Sequence, residues 1–344
     1  MIFAGMDVHH KTTTICLFDP SAPEDDQFAF KTVETTGQGL RRVLGPLGGQ
    51  VHVAWEVGPQ AQWIASLVRP WAASIQVANP SQIRWLFRDG RKNDRLDAKK
   101  LATLLYLKQL PLVHLPSPEV SYWRSLINYR RALVQQRTAV KARIRTMLRS
   151  HGLGYFKPNV WTRAGRAWLA SLPLESSQAL MMRMLLDDVN RKDEQIKETE
   201  KRLDELAKAH SAVTLLRTIP GIGPRTAEAI IAYADEIARF RDRKAFTSYF
   251  GMTPTEDTSA AVVHRGHISK HGPGVVRWVL GQATYRVLGL CPAFRTFFEQ
   301  VYRNQPGRKK IAVVATGRKI LSVIFGMPRD GKPFDPRRVS PKAA

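Results

Sequence analysis

The chain has 344 residues, enough for two or three domains with apolar cores, and its two cysteines, Cys16 and Cys291, are far apart. Such cysteines exclude a disulfide framework and a zinc site and suit a reducing cytosol. The 53 Lys and Arg residues against 29 Asp and Glu residues give a net charge of +24, which favours nucleic acid as the partner. We expect no signal peptide and no apolar run of the roughly 20 residues that a membrane span needs.

The first 118 residues are predicted to form an α/β domain of the RNase H-like class. Three consecutive strands are followed by helix, strand, helix, strand and helix, as the alternating and helical apolar patterns indicate. The strands are expected at 2–8, 13–19, 27–35, 50–56 and 73–79. The last helical stretch, N-D-R-L-D-A-K-K-L-A-T-L-L-Y-L at 93–107, begins with two acids. A generic α+β fold is the alternative.

Residues 119–210 are predicted to form a helical linker. A helix over 121–150 carries an apolar stripe and eight Arg and Lys residues but no acid, which favours phosphate contact over a merely solvated face. The positions expected to bind nucleic acid are Arg130, Arg131, Arg137, Lys141 and Arg145. A second helix over 180–209 repeats apolar residues every seven positions. An intramolecular hairpin with the first helix and a dimerising coiled coil both fit this pattern.

A third region, residues 211–328, is predicted to be mainly helical. The stretch I-P-G-I-G-P and the small-residue helix after it indicate a helix-hairpin-helix turn, with an αα-corner as the alternative. Gly221 and Gly223 permit a tight turn. Backbone N–H groups at the next helix start, beside Arg225, can then meet a DNA phosphate without reading sequence. The tail, residues 329–344, is rich in proline and basic residues and is expected to be disordered.

Four carboxylates are the candidate catalytic residues. Asp7 lies among apolar residues of the first predicted strand, where an unpaired acid is costly, and Glu56 ends the fourth strand. These strands are neighbours in an RNase H-like sheet, so both acids would reach one ion. Asp94 and Asp97 share a helix face because they are three residues apart. Together the four acids predict an oxygen cage for one or two Mg²⁺ ions, suited to phosphodiester chemistry.

Each acid also has a simpler explanation. Asp94 fits a helix N-cap and Asp97 a favourable first-turn acid, while Asp7 and Glu56 could pair with basic neighbours. His9 and His10, beside Asp7, could help at the metal, but a solvent-facing turn explains them better. The joint pattern of four acids on these elements favours the metal cage.

The chain resembles insertion-sequence transposases of the IS110 family. The stretches G-M-D-V-H-H-K, W-E-V-G-P and K-N-D-R-L-D-A-K-K-L-A look like that family's DEDD motifs, and P-G-I-G-P with the later R-G-H-I-S-K looks like its C-terminal domain. The resemblance covers nearly the whole chain in the family's order and spacing. It implies a RuvC-like catalytic domain over 1–118, a coiled-coil linker over 119–210 and a C-terminal transposase domain over 211–328.

The resemblance also implies a function. Such proteins recombine DNA under the guidance of a structured noncoding bridge RNA, and the metal ligands carried over are Asp7, Glu56, Asp94 and Asp97. Ser259 matches the family's serine nucleophile, which forms a covalent link to DNA. Here T-S-A-A replaces the family's frequent S-S-G-G, and Ser269 and then Ser248 are the alternatives. We expect a homo-oligomer, a dimer or tetramer, acting on element and target DNA in the bacterial cytoplasm at the nucleoid.

Basic residues near the serine complete the predicted site. We expect Arg265, Lys270 and Arg277 to bind the scissile phosphate or the flanking backbone. Two rival functions remain at this stage. One is a RuvC-like nuclease that resolves branched DNA by water attack, and the other is a non-catalytic nucleic-acid-binding protein.

Overall fold

The computed structural model describes residues 1–86, 93–153, 159–259 and 262–339, with the side chains of 84–86 and 257–265 outside the description. The chain divides into two compact units, Met1–Pro118 and Glu119–Ala344.

The first unit alternates strands and helices in the predicted order. Its elements are β1 (Ile2–Val8), β2 (Thr12–Phe18), β3 (Phe28–Glu34), α1 (Gly37–Leu44), β4 (Val51–Glu56), α2 (Ala61–Val68), β5 (Ala72–Ala78), α3 (Pro80–Leu86) and α4 (Asp94–Tyr106). The predicted α/β class is therefore confirmed.

Within the described residues, the five strands of this unit form one mixed sheet in the order β3-β2-β1-β4-β5. The first three strands are antiparallel, as short connections between consecutive strands allow, whereas β4 and β5 return parallel after helical crossovers. In the register of the β1–β4 pair, Met6 lies opposite Trp55. The predicted adjacency of the first and fourth strands is confirmed.

Helices cover the sheet on both faces. One face buries Met6, Trp55 and their neighbours against α1 and α2, because every second strand residue points to the same side. The other face buries small residues, among them Cys16 and Ala54, near apolar residues of α4. The sheet is thus the central layer of three.

Helix α4 lies unusually close to β1, and Gly5 makes this possible. A Cβ atom built on Gly5 would lie 2.5 Å from the Ala102 amide nitrogen and closer still to the Ala98 carbonyl oxygen. These neighbours are backbone atoms, which cannot move aside by changing rotamer. The side-chain-free position therefore sets the distance between β1 and α4.

The second unit is mainly helical. Its elements are α5 (Pro118–Ser150), α6 (Arg163–Ala170), α7 (Ser176–Lys208), α8 (Ser211–Leu216), α9 (Pro224–Ala234), α10 (Arg243–Tyr249), β6 (Pro254–Ser259), β7 (Val262–Ile268), α11 (Gly274–Leu290), α12 (Pro292–Tyr302) and α13 (Lys309–Asp330). Strands β6 and β7 pair antiparallel. The two long helices predicted at 121–150 and 180–209 are confirmed as α5 and α7.

The long helices belong to an intramolecular hairpin, one of the two arrangements that the sequence allowed. Arg130 of α5 is ion-paired with Glu200 of α7 at 2.6 Å, and Arg137 with Asp193 at 2.6 Å. Residue 130 pairs with residue 200 and residue 137 with residue 193, so the two helices run antiparallel. The heptad residues of α7, Val189, Ile196 and Leu203, are buried.

The expectation of a disordered tail over 329–344 is wrong for the part that the structure describes. The Phe334 ring stacks on Phe294 with centroids 5.8 Å apart, and the Phe334 amide donates to Thr218 Oγ1 at 2.9 Å. Val339 is 1% exposed. Apolar side chains spaced along the tail thus anchor it to the helical core, although its composition is basic and proline-rich.

The sequence expectation about apolar runs also needs correction. Among the described residues, one helical stretch, Pro306–Asp330, is long and apolar enough to cross a membrane by length and composition. Half of its most apolar window is buried inside the second unit, where Ile320 and Ile324 are fully buried. Burial of this kind is typical of a core helix.

Candidate metal centre and nucleic-acid interface

The two strand acids lie at the same edge of the sheet. Asp7 is the penultimate residue of β1 and Glu56 the last residue of β4. Since Met6 and Trp55 are paired in parallel register, Asp7 and Glu56 occupy the next positions of neighbouring strands. Parallel strands bring their carboxyl ends to one edge, so the backbone positions of both acids lie at the same edge of the sheet.

The two helix acids are on the first turn of α4, and neither acts as its N-cap. Asn93 is the N-cap, and its side-chain oxygen accepts a hydrogen bond from the Arg95 amide at 2.9 Å. The alternative explanation of Asp94 as a cap is therefore wrong. Both acids remain favourably placed near the positive end of the helix dipole.

His9 lies between two of the acids. Its Nε2 atom is 3.4 Å from Asp7 Oδ2 and 3.5 Å from Asp94 Oδ2. One donor atom from each of Asp7, His9 and Asp94 lies within 4.8 Å of the other two. Among the described residues, this is the group that could hold a metal ion. The predicted turn is present, since the His9 amide donates to Thr12 O at 3.0 Å, but it points the ring at the acids.

The other two acids lie outside this three-residue group. Asp97 Oδ1 is 3.5 Å from the ammonium nitrogen of Lys100, one helical turn further along α4. Glu56 is exposed at the end of β4. The structure thus brings Asp7 and Asp94 together through His9, and it holds Asp97 beside a lysine.

The residues at this site fit a divalent cation. Bonds of about 2.1 Å place two ligands of one ion at most about 4.2 Å apart, and the His9 separations from Asp7 and Asp94 lie inside that limit. Carboxylate oxygens are the donors that Mg²⁺ and Mn²⁺ prefer. Asp7 and Asp94, on either side of His9, could hold such an ion.

Two of the basic residues predicted to contact nucleic acid are paired inside the helical hairpin. Arg130 donates two hydrogen bonds to Glu200, and Arg137 and Arg166 both donate to Asp193. Burial opposes ionisation of Asp193, but these hydrogen bonds outweigh it and hold the pKa of its carboxyl below the ordinary value. Part of the positive charge of α5 is therefore neutralised by α7.

Three other predicted residues of α5 face aromatic rings. Arg131 lies over the Trp278 ring at 5.7 Å, and Lys141 and Arg145 lie over the Trp161 ring at 4.7 and 5.7 Å. Burial, reinforced by the nearby Arg137 guanidinium, lowers the pKa of Lys141. Cation–π contacts hold these side chains without neutralising them.

The predicted hairpin turn joins α8 and α9. Gly221 has φ +96°, and a Cβ atom there would lie 2.6 Å from the Val287 amide nitrogen of α11, so only glycine fits. Gly223 is the N-cap of α9 without a side-chain cap. A cavity of about 140 Å³ opens at this helix start, with Arg130, Arg225 and Arg286 in its lining.

Arg225 is paired within the same unit. Its guanidinium contacts the carboxylate of Asp204 and lies 3.3 Å from that of Glu228. Glu228 is 1% exposed, and burial raises its pKa to about 7 although Arg225 opposes the rise. The turn therefore carries a buried acid as well as the expected positive charge.

The predicted serine site is described only in part. The backbone of Ser259 ends β6, while the side chains of Ser259 and Arg265 lie outside the described residues. Ser269 pairs its amide with Thr253 O at 2.9 Å, and Ser248 Oγ accepts from Thr253 Oγ1 at 3.5 Å.

Two basic residues follow the β6–β7 hairpin. Lys270 is exposed with φ +57°. Arg277 donates to the carbonyl oxygens of Phe250, His271 and Gly272, each at 3.1 Å. Burial and the nearby Arg131 lower the pKa of Arg277. Arg277 thus clamps this loop, a role that sequence reasoning did not assign to it.

Sequence reasoning did not give three residues of the candidate centre the roles that the structure shows. Asn93 is the N-cap of α4. His9 lies between Asp7 and Asp94, and Lys100 is ion-paired with Asp97. The signal for Lys100 was available, because Asp94, Asp97 and Lys100 are spaced by three residues. His9 carried no such spacing signal.

Comparison with known proteins is consistent with this geometry. Residues 4–152 match the model of the DEDD transposase domain of IS110 elements, and residues 213–299 match the model described as Transposase IS116/IS110/IS902 family. A probable family 20 transposase of Pseudomonas aeruginosa is 25% identical over 80% of this chain and 83% of its own length.

Two further relatives are informative. The transposase for insertion sequence element IS1111A of Coxiella burnetii is 26% identical over 60% of this chain and 57% of its own length. The pilin gene-inverting protein of Moraxella lacunata is 30% identical over 36% of this chain and 39% of its own length.

The matches define a class of protein, the DEDD transposases and recombinases, which act on DNA. The chain belongs to the IS116/IS110/IS902 transposase family.

Proposed function

We propose that this transposase cuts and rejoins DNA strands at element and target sites, with Mg²⁺ bound by four acids and with a serine nucleophile. The observation that carries the proposal is the approach of Asp7 and Asp94 around His9, at the sheet edge where Glu56 ends the adjoining strand. The sheet order and strand directions support an N-terminal domain of the RNase H-like, RuvC-like type.

The proposed metal ligands are Asp7, Glu56, Asp94 and Asp97. When bound, Mg²⁺ supplies charge that activates a nucleophile or stabilises a leaving oxygen in phosphodiester chemistry. The protein's own contribution is positional, because Gly5 sets the distance between β1 and α4, and the Asn93 cap sets where α4 begins. His9 orients the Asp7 and Asp94 carboxylates by lying between them.

Ser259 is the proposed nucleophile. Its hydroxyl attacks the scissile phosphorus, its proton passes to a base, and the strand oxygen that leaves takes up a proton. The resulting serine ester retains the energy of the phosphodiester, so rejoining needs no ATP. Recombination by the pilin gene-inverting relative supports strand exchange over simple hydrolysis.

The proposed partners are element and target DNA, a bridge RNA and further copies of this chain. Positive charge held over aromatic rings by Arg131, Lys141 and Arg145 supports contact with nucleic-acid backbones. The open start of α9 at Gly223 supports a further phosphate contact. The proposed place of action is the bacterial cytoplasm at the nucleoid.

The metal-dependent step is tested with Asp7→Asn. Strand cleavage by this variant should fall to the uncatalysed level, and chelation of divalent ions should do the same to the wild-type protein. Asp25→Asn is the matched control, because Asp25 is an exposed acid of the same unit in a short helical turn before β3. Full cleavage by Asp7→Asn would support a non-catalytic binding protein instead.

The serine step is tested with Ser259→Ala. This variant should lose both strand exchange and the covalent protein–DNA adduct, which is detected as a gel shift that survives denaturation. A nuclease that uses water would keep cutting, so retained cleavage without an adduct would favour the RuvC-like endonuclease. Ser269→Ala serves as the comparison, and adduct loss there alone would reassign the nucleophile.

RNA guidance is tested by complete ribonuclease treatment of the purified complex. Recombination should stop and should return when the element's noncoding RNA is added back. Full activity after RNA removal would contradict the guide role while leaving the metal and serine chemistry standing.

A further inference from the structure

Three charged residues follow one another along α4. Asp94, Asp97 and Lys100 are spaced three apart, so their side chains follow one another along the helix. Lys100 is therefore the next member of the row of proposed ligands. It is also a cation in a row otherwise made of acids.

The two ends of this row have different partners. At the first end, Asp94 Oδ2 lies 3.5 Å from His9, which in turn lies 3.4 Å from Asp7. At the other end, Asp97 Oδ1 lies 3.5 Å from the Lys100 ammonium. The three-donor group that suits an ion includes Asp7, His9 and Asp94, and within the described residues Asp97 belongs to no such group. An ion position and an ammonium thus occupy adjacent parts of the site.

The Lys100 ammonium is more deeply placed than an ordinary surface ion pair requires. Its side chain is 15% exposed, against 35% for Asp97. Two surface pairs at the same helical spacing, Arg191 with Asp188 and Arg202 with Glu205, are 44% to 66% exposed, whereas the buried pair of Arg225 with Glu228 is 16% and 1% exposed. Removing an ammonium from water is costly unless anionic groups compensate it. Asp97 is an anionic partner that contributes to this compensation.

We propose that the four acids hold one divalent cation, nearest to Asp7 and Asp94, and that Lys100, beside Asp97, occupies the position of a second cation. The proposal rests on the metal-dependent function proposed above. Two-ion sites place their ions about 4 Å apart, one for the nucleophile and one for the leaving oxygen. An ammonium is a compact charge with three donors, so it can neutralise a leaving oxygen, and it needs no metal ligands.

The number of bound ions tests this assignment directly. Mn²⁺ is titrated into the full-length, chelator-treated protein, and the free ion is followed by its electron paramagnetic resonance signal. The wild-type protein should bind one Mn²⁺ per chain at this centre, and Asp7→Asn should lose it. Lys100→Met should bind two, because Asp97 and its neighbouring acids then lack their cation.

Lys99→Met is the matched control. It removes the same charge from the adjacent residue of α4, but the Lys99 ammonium lies 4.0 Å over the Phe28 ring of β3, on the side of the helix away from the acid row. This variant should keep one Mn²⁺. Lys100→Arg retains the charge and should also keep one.

The dependence of strand cleavage on Mg²⁺ gives a second readout. Cleavage should rise with the first power of Mg²⁺ concentration in the wild-type protein and with the second power in Lys100→Met. Two ions in the wild-type protein, or one in a folded Lys100→Met, would overturn the assignment of Lys100. If Lys100→Met does not fold, the wild-type count still tests the assignment, because two wild-type ions would overturn it.

The outcomes separate the two proposals. Two wild-type ions with cleavage that still depends on Asp7 would overturn the Lys100 assignment and leave the proposed function intact. A wild-type protein that binds no Mn²⁺ would overturn both.

Discussion

Gly5 offers the most direct test of how the fold positions the acids. In Gly5→Ala, the new methyl group would lie 2.5 Å from the Ala102 amide nitrogen, whereas ordinary contact begins at 3.4 Å. Helix α4 must therefore retreat by about 0.9 Å, which is a minimum because the Ala98 carbonyl oxygen is closer still. Overpacking of this kind costs about 1–3 kcal/mol of unfolding free energy. The retreat carries Asp94 and Asp97 away from Asp7.

We expect the loss of function in Gly5→Ala to exceed the loss of stability. A displacement of about 1 Å at a catalytic group can reduce the rate by roughly a hundredfold. Urea unfolding measures the stability, Mn²⁺ titration the affinity of the centre, and strand cleavage the rate. Gly281→Ala is the control, because a Cβ atom there meets nothing within 4 Å. A folded Gly5→Ala protein with wild-type Mn²⁺ affinity and cleavage would refute the positioning role of this close approach.

Three further predictions concern the second unit. Burial raises the pKa of Glu228 to about 7, above its ordinary value of 4.5. Between these two pH values the folded protein binds a proton that the unfolded protein has released, so the free energy of unfolding should fall by roughly 3 kcal/mol as the pH rises from 4.5 to 7. Urea unfolding at pH 5 and pH 8 should show this fall in the wild-type protein but not in Glu228→Gln. An equal fall in both proteins would contradict the assignment to Glu228. Arg277→Lys should lower the unfolding free energy by about 1–3 kcal/mol, because three carbonyl oxygens lose a shared donor. Thermal unfolding measures this loss, and Arg241→Lys, at an exposed position, is the control. Equal melting temperatures in the two variants would show that Arg277 does not stabilise this loop. Truncation after Gly331 should lower the melting temperature because Phe334 and Val339 leave the core, and an unchanged value would mean that the tail contributes nothing to stability.

The strand order of the first unit was predictable because its signals are local. Alternating apolar residues identify β1 and β4, and the acids Asp7 and Glu56 are conspicuous at their ends. The sheet topology follows from this order, since short connections pair neighbouring strands and helical crossovers return the later ones in parallel. The sequence by itself therefore determined which acids gather at one edge of the sheet.

The tertiary structure decided which charges meet. The absence of acids over residues 121–150 suggested a free basic face. However, Glu200 lies 70 residues from Arg130 and Asp193 lies 56 residues from Arg137, and helix packing alone brings these pairs together. The ordering of the tail depends in the same way on Phe294, which is distant in sequence. Burial, and the partner that compensates it, are properties of packed elements and not of local pattern. For the same reason, the burial of the Lys100 side chain beside Asp97 depends on the packing of α4 against β1 at Gly5, which the sequence does not show.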